Sequence, residues 1–283
     1  MNISKLKDTL GEIKVDIERA ICTASFNGRS YDNGQKAKAA LICSSRLILK
    51  IHEVTKGSLR EELKLLGLPF AIHPPLGTSS PELPVTGFIK KKRQDIVVLI
   101  GNVSPQSETI VDGPLHGVRD PLGSTATKTS IVIGVRSQLS SVKKNFDTLM
   151  ERAFAETLNL RLRFPGLVMG EVYLLPLFEY MDEAMKKNRV EFNRQPIPID
   201  KFIRTFVGIS GRSADECGDL YKYERTALIL ADFRSDTPEL CLTPSDLMRV
   251  GVNSDMANKY ALLSPCGFAS EIIQVHLRRH RCQ

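Results

Sequence analysis

Apolar residues in the first 24 positions fall three or four apart, at Leu6, Leu10, Ile13, Ile17 and Ile21, which predicts an amphipathic helix over 2–24. The stretch FNGRSYDNGQ, with two Gly and two Asn, ends it. A second helical pattern runs from about Gln35 to Val54 through Ala37, Leu41, Ser44, Ile48 and Ile51, and residues 58–66 predict a short third helix. Pro69–Pro84 is rich in Pro, Gly and Ser and reads as a loop. After Pro84 the period changes from helix to strand. VTGFIKKKRQDIVVLI predicts two strands around a basic turn, and 102–128 a long polar loop of the kind that often carries function. TSIVIGVRSQ is a β-branched run and predicts a central strand. Helical spacing returns over 141–161 through Val142, Phe146, Leu149, Ala153 and Leu160; GLVMGEVYLLPLFEY then predicts an apolar strand ended by Pro176.

The order strand, strand, helix, strand predicts an α/β core over 85–178. A mainly helical part, 1–84, precedes it. The part that follows, 179–283, holds Ile203–Ile209, a strand at 225–233 and a last helix near 268–280. Nothing in the pattern marks a repeat or a linker, so 1–283 reads as a single domain.

Composition narrows the function. With 283 residues, 42% hydrophobic and 25% charged, the chain has enough length and apolar content for a full core, which excludes a disordered tail or a small disulfide scaffold. Lys and Arg number 39 against 32 Asp and Glu, a net charge of +7 that permits a polyanionic partner without demanding one. The six cysteines, Cys22, Cys43, Cys217, Cys241, Cys266 and Cys282, include no CxxC pair, which argues against a zinc ribbon. No signal region or membrane-length apolar run stands out, so free thiols in a reducing cytoplasm are expected. The His, Ser and Gly residues form no HExxH, GxSxG, GxGxxG or P-loop, which leaves a nucleotide cofactor without support.

The candidate chemistry lies on the core strands. Asp95 stands at the head of IVVLI, where a carboxylate at a strand end can hold a divalent metal. Arg136 and Gln138 share one face of the next strand by alternation, and Glu151 and Glu156 follow on the helix. An acid, a strand-borne cation and a second acid at one sheet edge suit metal-assisted phosphodiester hydrolysis. Lys90–Arg93, Lys143–Lys144 and KKNRVEFNR at 186–194, with Arg189 and Arg194, are candidate phosphate-binding positions.

The segments KKKRQDIVVLI, SIVIGVRSQLSSVKKNFDTLMERAFAETLNL and GLVMGEVYLLP resemble the type II restriction endonucleases of the PD-(D/E)XK superfamily, and are similar to those cleaving CCGG-containing sites. In such enzymes the metal Asp precedes a strand, a Lys lies on the next strand, and the second acid has moved to the following helix. The resemblance implies a restriction-endonuclease-like mixed sheet flanked by helices, with a helical N-terminal part. It further implies Mg2+-dependent, sequence-specific cleavage of double-stranded DNA by a homodimer. Carried over, Asp95 and Glu151 are the metal acids, Arg136 stands at the Lys position, and Gln138 takes the role seen in ExQ variants. Two departures stand out: Gln94 rather than Pro precedes Asp95, and Arg136 replaces Lys. Arg can clamp phosphate but is a poor proton acceptor. The rival expectations are a DNA-binding subunit of a restriction system with little activity alone, and a scaffold protein whose acids are plain surface.

Overall fold

The computed structural model describes residues 1–213 and 218–280. Cys217 and Cys282 lie outside the described residues; Cys22, Cys43, Cys241 and Cys266 are free thiols.

The first helix, α1 (Ile3–Thr23), starts where the Asn2 side chain accepts the Lys5 N–H at 3.1 Å, and buries Leu6, Leu10, Ile13, Ile17 and Ile21. A two-residue hairpin, β1 (Ser25–Phe26) and β2 (Arg29–Ser30), leads to α2 (Gly34–Cys43) and α3 (Arg46–Leu65). The expected helices at 35–54 and 58–66 are therefore divided differently. The break falls at Ser44–Ser45, where Ser45 takes a left-handed φ of 63° and the Ser44 hydroxyl bonds the Leu41 carbonyl at 2.6 Å, and Gly57 is carried within α3.

The expected loop 69–84 contains a strand, β3 (Phe70–His73), and the expected strand pair of 85–100 is a separate hairpin followed by a core strand. The hairpin is β4 (Pro84–Thr86) with β5 (Lys91–Arg93), and the core strand is β6 (Ile96–Ile100). The basic residues thus lie on β5 as well as in its turn. Residues 102–128 carry the short pair β7 (Glu108–Thr109) and β8 (Arg119–Asp120), then α4 (Ser124–Lys128). The predicted central strand is β9 (Ser130–Ser137); it leads to α5 (Phe146–Arg161), which begins five residues later than its pattern suggested, and to β10 (Val168–Pro176). The remainder holds α6 (Asp182–Met185), α7 (Ile199–Gly208), β11 (Arg225–Asp232), β12 (Glu239–Cys241), α8 (Pro244–Arg249), α9 (Ser254–Lys259) and α10 (Phe268–His280).

Six of the strands form one mixed sheet in the order β12-β11-β10-β9-β6-β3. β3, β6 and β9 are antiparallel neighbours; α5 then crosses over so that β10 runs parallel to β9, and β11 parallel to β10. The sheet therefore draws strands from residue 70 to residue 241, beyond the expected 85–178 core. β6, β10 and β11 are buried along their whole length, as strands covered on both faces must be. On one face Ile96, Val98, Ile131, Ile133, Val172 and Ile229 pack against α1, α3 and α10. On the other, Tyr173, Leu228 and Leu230 meet Phe146, Phe202 and Phe206, while Val97, Val132 and Met169 meet Ala153 and Leu160 of α5. The architecture is α/β with helices on both sides of the sheet. No helix among the described residues is long and apolar enough to cross a membrane.

Candidate functional site

The face under α5 carries the charges. Side chains alternate along a strand, so Asp95 lies on the same face as Val97 and Leu99, and Gly134 and Arg136 on the same face as Val132. Extending the Ile96–Ile133 pairing by one residue sets Asp95 beside Gly134, and Gly134 pairs with Glu171 on its other side. Asp95, Gly134 and Glu171 thus form a row across three strands, with Arg136 two residues further along β9. Asp95 is fixed there by the Val135 N–H, which donates to its Oδ2 at 2.8 Å.

Arg136 ties the row to the helix above it. Its Nε stands 2.8 Å from Glu171 Oε1, and its terminal nitrogen is ion-paired with Glu156 of α5. Glu156 is also ion-paired with Lys92 of β5. The charge of Glu171 holds the Arg136 guanidinium well above its ordinary pKa, against the effect of burial. Burial pushes Glu156 upward, but Arg136 and Lys92 outweigh it and keep its carboxyl below the ordinary range. Burial pushes Glu171 up to about 7, with Arg136 opposing and Glu156 and Asp95 adding to the rise. Such displaced values cluster at functional sites, although structural ion-pair networks also produce them. On the far side of Asp95, the buried His52 of α3 is held below its ordinary pKa by burial, opposed by the Asp95 charge and a hydrogen bond to the Val135 backbone.

Above this row lies a cleft of about 500 Å³, lined by Lys90, Lys92, Asp95, Arg136, Gln138, Arg152, Glu156 and Asn159. One wall is the β4–β5 hairpin, clamped onto α5 by Asn159. The Ile89 and Lys90 N–H groups donate to Asn159 Oδ1 at 2.9 and 3.2 Å, and the Phe88 N–H to its carbonyl at 2.6 Å. Gly87 permits the approach, because a Cβ there would stand 2.3 Å from Asn159 Nδ2.

The predicted residues divide in two. Asp95, Arg136 and Gln138 line the cleft, the Gln138 amide being turned onto the Ser140 carbonyl. Glu151 does not: it is solvent-exposed on α5, and Glu156 faces Arg136 instead. The two lie five residues apart, about 140° around a helix, so a helix that presents one to the sheet turns the other away. α5 is held in this rotation by buried Ala153, Thr157 and Leu160 and by Arg161, which is buried at its C-terminal end and ion-paired with Glu224. Lys143 and Lys144 are exposed in the turn before α5. Arg189 and Arg194 are exposed on a segment anchored to α2, where the Gly34 N–H donates to Asn188 Oδ1 at 2.8 Å, and they do not line the cleft.

Sequence reasoning passed over Glu171 and Asn159, and it took Lys92 as a phosphate contact without its pairing to Glu156. For Glu171 the signal was present: it is the only charge in the strand VMGEVYLLP.

Asp95, Glu156 and Glu171 offer carboxylate oxygens, the donors a hard divalent cation prefers, while among the described residues no three His, Cys, Asp or Glu side chains form a preformed metal cluster. Among the described residues, neither buried Glu171 oxygen has a hydrogen-bond donor, which suits a cation arriving with its own substrate oxygens and waters. Magnesium is commonly held by one or two carboxylates completed by phosphate, so this donor set fits that ion. Comparison with family models, with curated proteins and with solved structures gives no match.

Proposed function

We propose that the chain is a restriction-type endonuclease of the PD-(D/E)XK kind, which hydrolyses phosphodiester bonds of double-stranded DNA with Mg2+. The supporting observation is the order of charges through the fold. An acid heads β6, a cation follows on the adjacent β9, and an acid on the crossover helix α5 faces that cation, with a parallel strand completing the unit. This is the order that the sequence resemblance requires, with Glu156 in the place expected of Glu151.

In this reading Asp95 holds the ion and Arg136 steadies the scissile phosphate, since guanidinium matches phosphate oxygens bidentately. Glu156 positions Arg136 and Lys92. Asp95 would hold Mg2+, which would supply an activated water and neutralise charge on the phosphate. Lys143 and Lys144 remain exposed to meet backbone phosphates, contacts that position a protein without reading sequence. A two-fold dimer would match a palindromic site.

Incubating the purified chain with unmethylated phage DNA, with and without Mg2+, tests the proposal. Discrete fragments with 5′-phosphate ends, formed only with the ion, are expected. Binding without cleavage would instead select the second reading, a DNA-binding subunit with little activity of its own. The observation favouring that alternative is that Arg136, in place of Lys, is engaged by both Glu156 and Glu171. Neither binding nor cleavage would refute both.

A further inference from the structure

Glu171 has no role in the reading above, yet its placement demands an explanation. It is 1% exposed, in a strand otherwise free of charge, and among the described residues neither oxygen accepts a hydrogen bond. A buried carboxylate is strongly unfavourable unless it is paired and its oxygens are satisfied, and an apolar residue would serve the sheet better. Among the described residues, Arg136 Nε at 2.8 Å is the single salt-bridge partner that reaches it.

The neighbouring strand is shaped around this carboxylate. A Cβ on Gly134 would lie 2.2 Å from Glu171 Oε2 and 3.2 Å from its Cδ, and the three atoms nearest that position all belong to Glu171. The carboxylate therefore rests over bare backbone in the middle of β9, where any side chain on residue 134 would exclude it. Asp95 flanks the same glycine from the opposite strand. Two acids thus straddle one glycine, two strand spacings or about 10 Å apart at the backbone, on the face under α5; Asp95 lines the cleft, and Glu171 is buried against Arg136, which lines it too.

We infer that Glu171 is the second metal-holding carboxylate of this site, reaching from β10 over Gly134 to share a divalent cation with Asp95. The inference rests on the proposed nuclease reading and deepens it: the acid that completes the site comes from the strand after α5, and not from α5 itself. Glu156, already bound to Lys92 and Arg136, is left as a positioning residue.

The experiment titrates Mn2+ alone into the full-length chain with a DNA duplex present, reading free Mn2+ by its paramagnetic resonance, with cleavage in Mg2+ measured in parallel. Glu171→Gln, which keeps size and shape, is expected to weaken Mn2+ binding tenfold or more and to abolish cleavage. Gly134→Ala is expected to do the same, since its methyl displaces the carboxylate. The double variant Gly134→Glu/Glu171→Ala returns an acid to the same space from the other strand, and is expected to recover Mn2+ binding relative to Glu171→Gln. A structural role for Glu171 would not give that recovery. Wild-type Mn2+ affinity in Glu171→Gln overturns the inference, as does a folded double variant that binds no better than the single one. Wild-type protein that fails to bind Mn2+ at millimolar concentration also overturns it. If the wild type cleaves DNA and Glu171→Gln cleaves equally well, the inference falls and the nuclease reading stands. If the wild type binds Mn2+ through Glu171 but never cleaves, the metal site stands and the nuclease reading falls.

Discussion

Replacing Glu156 by Gln removes the charge that holds Lys92 and Arg136 together, and its effect can be sized from the geometry. The Glu156 side chain is 11% exposed, Arg136 17% and Lys92 38%. Breaking a fully buried ion pair by removing one partner costs about 3–5 kcal/mol. The Arg136 arm retains Glu171 and some solvent, so its loss is set lower, at about 2 kcal/mol on the same scale. The Lys92 arm is partly solvated, and such pairs contribute about 0.5 kcal/mol. Together these give a destabilisation of about 2–3 kcal/mol, which for a domain of this size lowers the melting temperature by about 3–5 °C. Urea unfolding should show a lower midpoint with an unchanged slope, because the surface exposed on unfolding stays the same. Glu151→Gln, at an exposed position, should leave the midpoint in place. In cleavage assays Glu156→Gln should be the more damaging of the two, since Arg136 loses its anchor. An equal or larger effect of Glu151→Gln on either measure would mean that α5 is rotated relative to the sheet, and would refute the site as built here.

Three further outcomes are expected. Asp95→Asn should abolish cleavage while leaving the melting temperature within a few degrees, because an amide oxygen can still accept the Val135 N–H but brings no charge to a cation; undiminished cleavage would remove Asp95 from the site. Asn159→Ala should release the β4–β5 turn, with a loss of about 2 kcal/mol from the side-chain hydrogen bonds and faster proteolysis near residues 87–91; unchanged proteolysis would show the clamp to be dispensable. His276 of α10 is pushed down to about 3 by burial, with His280 and Arg279 adding to the shift. The unfolded chain then binds the proton that the folded chain refuses, so stability falls as the pH drops from about 6.5 toward 3, by up to about 1.4 kcal/mol per pH unit. His276→Leu should flatten that slope in acid denaturation, and an unchanged slope would place the titrating group elsewhere.

Much of the frame was legible in the chain itself. α1 and α10 follow from apolar spacing, and β9, β10 and β11 from mainly apolar runs, because a strand covered on both faces is hydrophobic along most of its length. Asp95, Arg136 and Gln138 were legible as a group because strand alternation is a local property. The boundary between α2 and α3 was not, since it depends on Ser45 taking a left-handed turn that no periodicity announces. β3 was hidden in a Pro-rich stretch, where four residues become a strand only because β6 offers them an edge. The choice between Glu156 and Glu151 required the rotation of α5, which its buried residues and the Arg161–Glu224 pair set against the sheet. The meeting of Glu171 with Gly134 depends on register between β9 and β10, strands joined through a whole helix. Sequence order determined which charges the strands and helix would carry. Only the packing of α5 and the alignment of the strands decided which of them face one another, because a carboxylate's partners are fixed by distances of a few ångströms across elements far apart in the chain.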